Sequence, residues 1–128
     1  MWHNHLNMIM RVQPSPLFSE AVVHGTTAYI SGQVAIDAAG GSFEDQLDEV
    51  LRRVDQLLDE CGARRSTMLS ALVHIDSPGH LSSLNEIWAK WLPDGEAPTR
   101  TTVVSALTSP DFAVEITVTA ALSGEGRA

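Results

Sequence analysis

Residues 42–62 read SFEDQLDEVLRRVDQLLDECG and carry the strongest helical signal in the chain. The apolar residues of this stretch recur at the spacing of one helix face. They are Phe43, Leu47, Val50, Leu51, Val54, Leu57 and Leu58. Ser42, with Asp45 three residues later, is a suitable N-cap, and Gly62 is placed to end the helix in the left-handed conformation. The stretch therefore predicts a long amphipathic helix that must cover a second layer of structure.

The rest of the chain supplies that second layer as strands. Segments rich in β-forming residues, bounded by Gly, Pro and Ser, predict strands at 21–24, 27–34, 69–76, 101–107 and 113–122. A second helix begins after the turn at 77–79 and is closed by Pro93, and a turn at 108–111 joins the last two strands. The predicted order is ββαβαββ, an α+β fold with one sheet and both helices packed on a single face.

The last strand shows which of its residues would face those helices. Val114, Ile116, Val118 and Ala120 alternate with Glu115, Thr117, Thr119 and Ala121. Alternate residues of a strand point to opposite faces, so we expect the apolar set to pack under the helices. The second face is polar or small, and the sequence leaves open whether solvent or another subunit covers it.

Composition limits the class of protein. The chain has 128 residues, of which 44% are hydrophobic, so a single packed domain spanning 1–128 is expected, with flexible ends at 1–12 and 123–128. Eight Lys and Arg residues stand against sixteen Asp and Glu, and the formal net charge of -8 disfavours a nucleic-acid partner. The single cysteine, Cys61, predicts a buried thiol in a cytoplasmic protein, and no apolar run is long enough to predict a membrane span.

Metal and cofactor motifs are absent from the sequence. The five histidines fall in different segments without the spacing of a metal site, and we interpret them as surface or strand-end residues. Neither a nucleophile elbow nor a phosphate-binding glycine loop occurs. We therefore expect chemistry without a metal or a cofactor.

Two charged residues stand out, one at the start of a predicted strand and one inside another. Arg100 precedes the strand residues 101–104, and Glu115 lies inside the run 113–118. Both side chains could be solvated, or they could form a surface ion pair. Alternatively, the guanidinium could grip a substrate carboxylate in bidentate fashion while the nearby carboxylate handles water or a proton.

Four short motifs give the chain a family resemblance. These are Ser31-Gly32-Gln33 at a strand end, Asn85 on the second helix, Ala97-Pro98-Thr99-Arg100-Thr101, and Val114-Glu115-Ile116. In this order and spacing they resemble the reactive intermediate deaminase family, also called Rid or YjgF-like, from about Pro16 to Leu122. The resemblance implies a chorismate-mutase-like fold and a homotrimer with sites in the clefts between subunits.

The resemblance also implies an activity. The family hydrolyses 2-imino and 2-enamino acids, such as 2-aminoacrylate, to 2-keto acids and ammonia. By residue match, Arg100 would bind the substrate carboxylate and Glu115 would act on the hydrolytic water. Gly32, Asn85 and Thr102 would line the same cleft. The alternative is a trimer that binds small carboxylates without turning them over.

Three positions depart from the family pattern. Phe18 stands where some members have a tyrosine, so a hydroxyl is lost from that part of the substrate site. Thr102 replaces a cysteine of better-known members, which removes a thiol. Residues 107–110 read Leu-Thr-Ser-Pro rather than Leu-Pro, which reshapes a loop near the cleft.

Overall fold

The long helix predicted from residues 42–62 is helix α1, Phe43–Cys61, in a computed structural model that describes residues 8–124. The Ser42 side chain accepts a hydrogen bond from the backbone N–H of Asp45, at 3.1 Å. Gly62 ends the helix with φ of 82°, a left-handed conformation that a glycine adopts without a steric penalty. Both predicted ends of the helix are confirmed.

One mixed sheet of six strands lies against α1 and the second helix, α2, Leu81–Trp91. The strands are β1 Ile9–Pro14, β2 Ser19–His24, β3 Thr27–Val34, β4 Met68–Ile75, β5 Thr99–Val104 and β6 Val114–Ala121. Their spatial order is β1-β2-β3-β6-β4-β5. Every neighbouring pair is antiparallel except β4 and β5, which run parallel because α2 forms the crossover between them.

The two faces of the sheet differ in polarity and burial, as the alternating pattern of the last strand predicts. We call the face under the helices the covered face; the core residues Val73, Ile116 and Val118 lie on it, and each is almost wholly buried. We call the opposite face the open face. It carries Glu115 and Thr117, together with the other residues that alternate with the core set along β6. The α+β architecture with both helices on one face is confirmed.

The amino-terminal strand corrects part of the sequence prediction. Residues 1–12 were expected to be flexible, yet β1 pairs with β2 in the register Ile9 to His24 and Val12 to Ala21. Only Val12 of this strand is even half-buried, so the apolar pattern of the segment gives no sign of a strand. Residues 1–7 and 125–128 of the predicted flexible ends lie outside the described residues. The observed order is thus βββαβαββ.

The last two strands are joined in sequence but are not neighbours in the sheet. They were predicted to be joined by the turn at 108–111, and that connection is present, but β4 lies between β5 and β6 in the sheet. Strand β5 is consequently an edge strand, two places away from β6. No helix within residues 8–124 is long and apolar enough to cross a membrane.

Polar side chains in the helical layer tie the loops to helix α1. Gln46 is 1% exposed and donates to the carbonyls of Gly41 and Asp111, at 3.2 and 2.9 Å. Its Oε1 accepts from the backbone N–H of Ala113 at 2.8 Å. These bonds connect α1 to the loops before the helix and before β6, because buried polar groups must find partners.

Glu49 fastens the same layer one turn later. Its carboxylate accepts from the backbone N–H groups of Asp37 and Ala38 and from Arg53 Nε, the last at 2.7 Å. Burial alone would raise the pKa of Glu49, but the hydrogen bonds from Arg53 and the two backbone N–H groups together hold it below its ordinary value. Cys61 is buried as predicted, and burial raises the pKa of its thiol.

Candidate functional site

Arg100 lies near the start of the edge strand β5, beside Ala71 of β4. Since Ala71 belongs to the core, Arg100 points to the covered face, where α2 meets it. Its Nη2 donates to Asn85 Oδ1 at 2.7 Å, and the guanidinium carbon lies 5.8 Å from the centre of the Trp88 ring. Asn85 and Arg100 are therefore brought together as the sequence motifs indicate, with Trp88 beneath the cation.

The electrostatics of Arg100 suit anion binding. Burial lowers the pKa of its guanidinium, which nevertheless stays protonated at neutral pH. Within residues 8–124, no salt bridge neutralises this cation. A half-buried guanidinium with one edge held by an amide oxygen leaves further N–H groups to bind a carboxylate.

Thr102 follows two residues later on the same face of β5. Its hydroxyl oxygen is buried, and among the described residues it has no hydrogen-bond partner. A buried hydroxyl without a partner is costly, so the position calls for an explanation such as a bound water or ligand. Thr102 thus adds an unused hydrogen-bonding group beside the guanidinium.

Glu115 is near the start of β6, between Val34 of β3 and His74 of β4, on the open face. The side chain leans over Gly32, at the bulge of β3. A methyl group at Gly32 would lie only 2.5 Å from Glu115 Oε2. The Glu115 carboxylate occupies the space beside Gly32, so any side chain at this position would displace it. Gly32 and Glu115 are brought together as the resemblance implies.

Glu115 contrasts with the buried carboxylate of Glu49. Within residues 8–124, no hydrogen bond or ion pair engages the Glu115 side chain, although the residue is half-buried in a strand. A half-buried carboxylate whose oxygens bind no other group of the protein can accept a proton from a water or a ligand.

Phe18 lies in the turn between β1 and β2, at the end of the sheet where Gly32 also lies. Its backbone is bound to Ser15, whose hydroxyl donates to the Phe18 carbonyl at 2.8 Å. The ring is 54% exposed, so no core packing accounts for it. Phe18 is available to contact a ligand at that end of the sheet.

The predicted residues form two groups in one chain rather than one. Arg100, Asn85 and Thr102 lie on or beside the covered face at β5, whereas Glu115 lies over Gly32 on the open face. The β5 residue level with Glu115 is Val103. Arg100 lies three residues before it, about 10 Å away along the strand. A small imino acid cannot reach both groups of the same chain.

Sequence reasoning missed the neighbours of both groups. Trp88 was read as core packing by its helical spacing, and it is indeed 6% exposed, but it also carries Arg100 on its ring. His74 was interpreted as a surface or strand-end histidine, yet it stands directly opposite Glu115 and contacts Ser105. Strand neighbours of this kind depend on register, which no local pattern in the sequence contains.

Among families of known proteins, residues 8–122 match the family described as Endoribonuclease L-PSP. A RutC family protein from Haemophilus ducreyi is 30% identical over 116 residues, covering 91% of this chain and 98% of the relative. The RutC family protein YoaB of Escherichia coli is 31% identical over 114 residues, covering 89% and 98%.

Solved structures give the same result. A protein from Pseudomonas aeruginosa is 36% identical, with a TM-score of 0.85 over 89% of this chain and 98% of that one. A member of the YjgF protein family from Neisseria meningitidis is 30% identical, with a TM-score of 0.85 over 91% and 97%. With a family match over nearly its whole length and relatives of this similarity, the chain belongs to the Endoribonuclease L-PSP family, which is the Rid and YjgF-like family of its sequence motifs.

Proposed function

We propose that this protein is a deaminase that hydrolyses 2-imino and 2-enamino acids to 2-keto acids and ammonia, at a site shared between subunits of a homotrimer. The observation that supports it most directly is the pair of uncommitted groups, the Arg100 guanidinium and the Glu115 carboxylate. Neither is neutralised by a salt bridge within residues 8–124. One suits a substrate carboxylate and the other suits a water molecule.

The separation of the two groups supports a site between subunits. Because Arg100 and Glu115 lie on opposite faces of one chain, a site that uses both must take them from different copies. The open face offers a surface for such packing, since Tyr29 and Leu72 lie on it at 50% and 38% exposure beside the small residues of β6. Apolar and small side chains on an uncovered sheet face favour burial against another subunit.

The reaction asks for few groups because a protonated imine carbon is already electrophilic. Arg100 holds the substrate carboxylate with two parallel hydrogen bonds, and the Thr102 hydroxyl orients the neighbouring part of the substrate. Glu115 accepts a proton from water as the water oxygen bonds to the imine carbon and the C=N electron pair moves to nitrogen. The protonated Glu115 then returns this proton to the amine nitrogen of the carbinolamine. Ammonia departs as the oxygen electron pair forms the C=O bond, and the hydroxyl proton passes to solvent.

The negative charge of the chain disfavours a ribonuclease activity, which the family description names. A formal net charge of -8 with eight basic residues opposes the phosphate contacts that an RNA substrate requires. A small carboxylate needs only one guanidinium, which Arg100 supplies. We therefore place the substrate among small amino-acid derivatives rather than nucleic acids.

An amino-acid oxidase that generates 2-iminopropanoate in the assay provides the test. The wild-type protein should accelerate release of the keto acid above the spontaneous rate. Arg100→Ala should lose binding and turnover together, since removing one partner of a buried charge pair costs about 2–5 kcal/mol. Arg100→Lys should restore only part of the binding and turnover, because an ammonium group cannot form the bidentate contact with a carboxylate.

Glu115→Gln separates binding from catalysis. It preserves volume and removes the proton-accepting charge, so keto-acid binding should survive while turnover falls by about 10²–10⁴-fold. Light scattering must first show that both variants assemble like the wild type. Keto-acid binding without any acceleration of hydrolysis in the wild type would instead identify a carboxylate-binding trimer.

A further inference from the structure

Three polar side chains, Glu115, His74 and Ser105, are neighbours on the open face. His74 on β4 is the cross-strand partner of Glu115, and its Nδ1 lies 3.1 Å from the hydroxyl of Ser105, just beyond the end of β5. Carboxylate, imidazole and hydroxyl thus follow one another across three strands. The resemblance assigns a role only to Glu115 among these three.

The side chains of Glu115 and His74 lean away from each other. Directly opposed residues of an antiparallel pair have Cβ atoms about 4.5–5.5 Å apart. Glu115 leans towards β3, where its carboxylate covers Gly32, whereas the imidazole leans towards Ser105 on the β5 side. Within residues 8–124, no direct hydrogen bond or ion pair joins the two side chains.

Opposed polar side chains on neighbouring strands leave a space between them that suits a bridging water molecule, hydrogen-bonded to both. We propose that His74 is a second catalytic residue, which holds the hydrolytic water jointly with Glu115. This inference rests on the proposed function, because it assigns the water of that reaction to the space between the two side chains.

The contact with Ser105 sets the hydrogen-bonding role of the imidazole. When Nδ1 carries the proton and donates it to Ser105 Oγ, Nε2 has a lone pair and accepts from the water. One O–H of the water then points to Nε2 and the other to Glu115, which leaves an oxygen lone pair for the imine carbon. As the carbon–oxygen bond forms, Glu115 takes its proton, while the second O–H stays intact on the carbinolamine and remains hydrogen-bonded to His74.

His74→Phe tests this role in the imino-acid assay. Phenylalanine fills the space and suits a strand, so the fold should survive, while kcat falls by about 10²-fold with little change in KM. His74→Gln should recover part of the loss, because its amide reaches about as far as Nε2. His74→Asn should not, because its amide reaches only the Nδ1 position. His24→Phe, at the far end of the open face on β2, is the control and should behave as wild type.

A double-mutant cycle distinguishes a shared water from a structural role. If His74 and Glu115 hold one water, His74→Phe should cost almost nothing further in a Glu115→Gln background. Independent losses that multiply would overturn the proposal. So would a rise in KM with unchanged kcat in His74→Phe.

A spectroscopic readout decides the placement of His74 even when no hydrolysis is observed. In ¹⁵N-labelled protein, the imidazole of His74 should show the Nδ1–H tautomer, and its Nε2 resonance should move on Glu115→Gln. The His24 resonances should not move. An unshifted His74, or the Nε2–H tautomer, overturns the inference. If the His74 Nε2 resonance moves but the protein hydrolyses no imino acid, the placement of His74 beside Glu115 is supported and the proposed function is wrong.

Discussion

The two sides of the sheet treat their polar side chains in opposite ways. On the covered side, Gln33, Gln46 and Glu49 are all at least 95% buried, and each is hydrogen-bonded. On the open face, the Glu115 side chain has no hydrogen bond or ion pair to any other residue within 8–124. Polar groups that are buried and satisfied hold the fold, whereas half-buried groups left unsatisfied are available for a ligand.

The contrast predicts how substitutions should divide. A change on the covered side should act through the free energy of unfolding, and a change on the open face should act through assembly or turnover. Thr102 and Arg100 mark the boundary, because they point to the covered side from an edge strand that the helices only partly reach.

The largest effect should come from placing a carboxylate on each face of the same strand. Val118→Asp buries an unpartnered charge at a position 1% exposed, which should cost more than about 4 kcal/mol and leave no folded protein. Thr117→Asp, on the open face, should keep the fold and disrupt the proposed trimer. Circular dichroism and light scattering measure the two outcomes. If Thr117→Asp unfolds as readily as Val118→Asp, the distinction between the faces is wrong.

Gln46→Ala comes next and tests the satisfied polar groups of the covered side. It leaves two carbonyls and the backbone N–H of Ala113 without their partner, so the free energy of unfolding should fall by about 2–3 kcal/mol. Gln56→Ala, on the exposed side of the same helix, is the matched control and should change it by less than about 0.5 kcal/mol. Denaturant titrations of both variants measure the difference.

Glu49→Gln gives a smaller effect that depends on pH. The pKa of Glu49 is lowered in the folded state from its ordinary value of about 4.5. The carboxylate therefore stabilises the protein at pH values above 4.5, and this stabilisation is lost as the pH falls through the lowered pKa. The variant should be less stable by about 1–2 kcal/mol at pH 7. Thermal unfolding should show the gap closing in acid. A gap that stays constant from pH 7 to strongly acidic pH would contradict the role of the charge.

Gly32→Ala should change stability least while still impairing turnover. The new methyl group would meet the flexible end of Glu115, which can move aside, so the cost in unfolding should be within about 1 kcal/mol. The displaced carboxylate should then lower kcat. Gly79→Ala is the control, because its methyl group would lie an ordinary 3.5 Å from Ser77 Oγ. Equal kcat values for the two variants would dissociate the position of Glu115 from catalysis.

The elements with a periodic pattern of apolar residues could be predicted from the sequence. Helix α1 repeats its apolar residues at helical spacing with a cap at each end, and β6 alternates in period two, so both elements and the buried side of each follow from the sequence. Strand β1 could not be predicted in this way, because five of its six residues are exposed and it pairs with β2 through the backbone. The place of β4 between β5 and β6 likewise depends on a crossover that no local pattern contains.

The candidate site was predictable to the level of residue types. Motifs identified Arg100, Asn85, Gly32 and Glu115, and the structure joins them in two pairs. That the pairs lie on opposite faces follows only from the strand register. His74 was missed for the same reason, since a histidine near a strand end becomes informative only once the residue opposite it is known.

Strand β6 is the last strand of the described chain, yet it lies in the interior of the sheet, paired with β3 on one side and β4 on the other. During synthesis, the earlier strands therefore emerge from the ribosome before the strand that joins them exists. Strands β1–β3 form one partial sheet and β4–β5 another, and each exposes an edge where β6 will insert. Folding must wait for distant contacts, which makes it slow, and until residue 121 is released the nascent chain presents two open edges that favour aggregation.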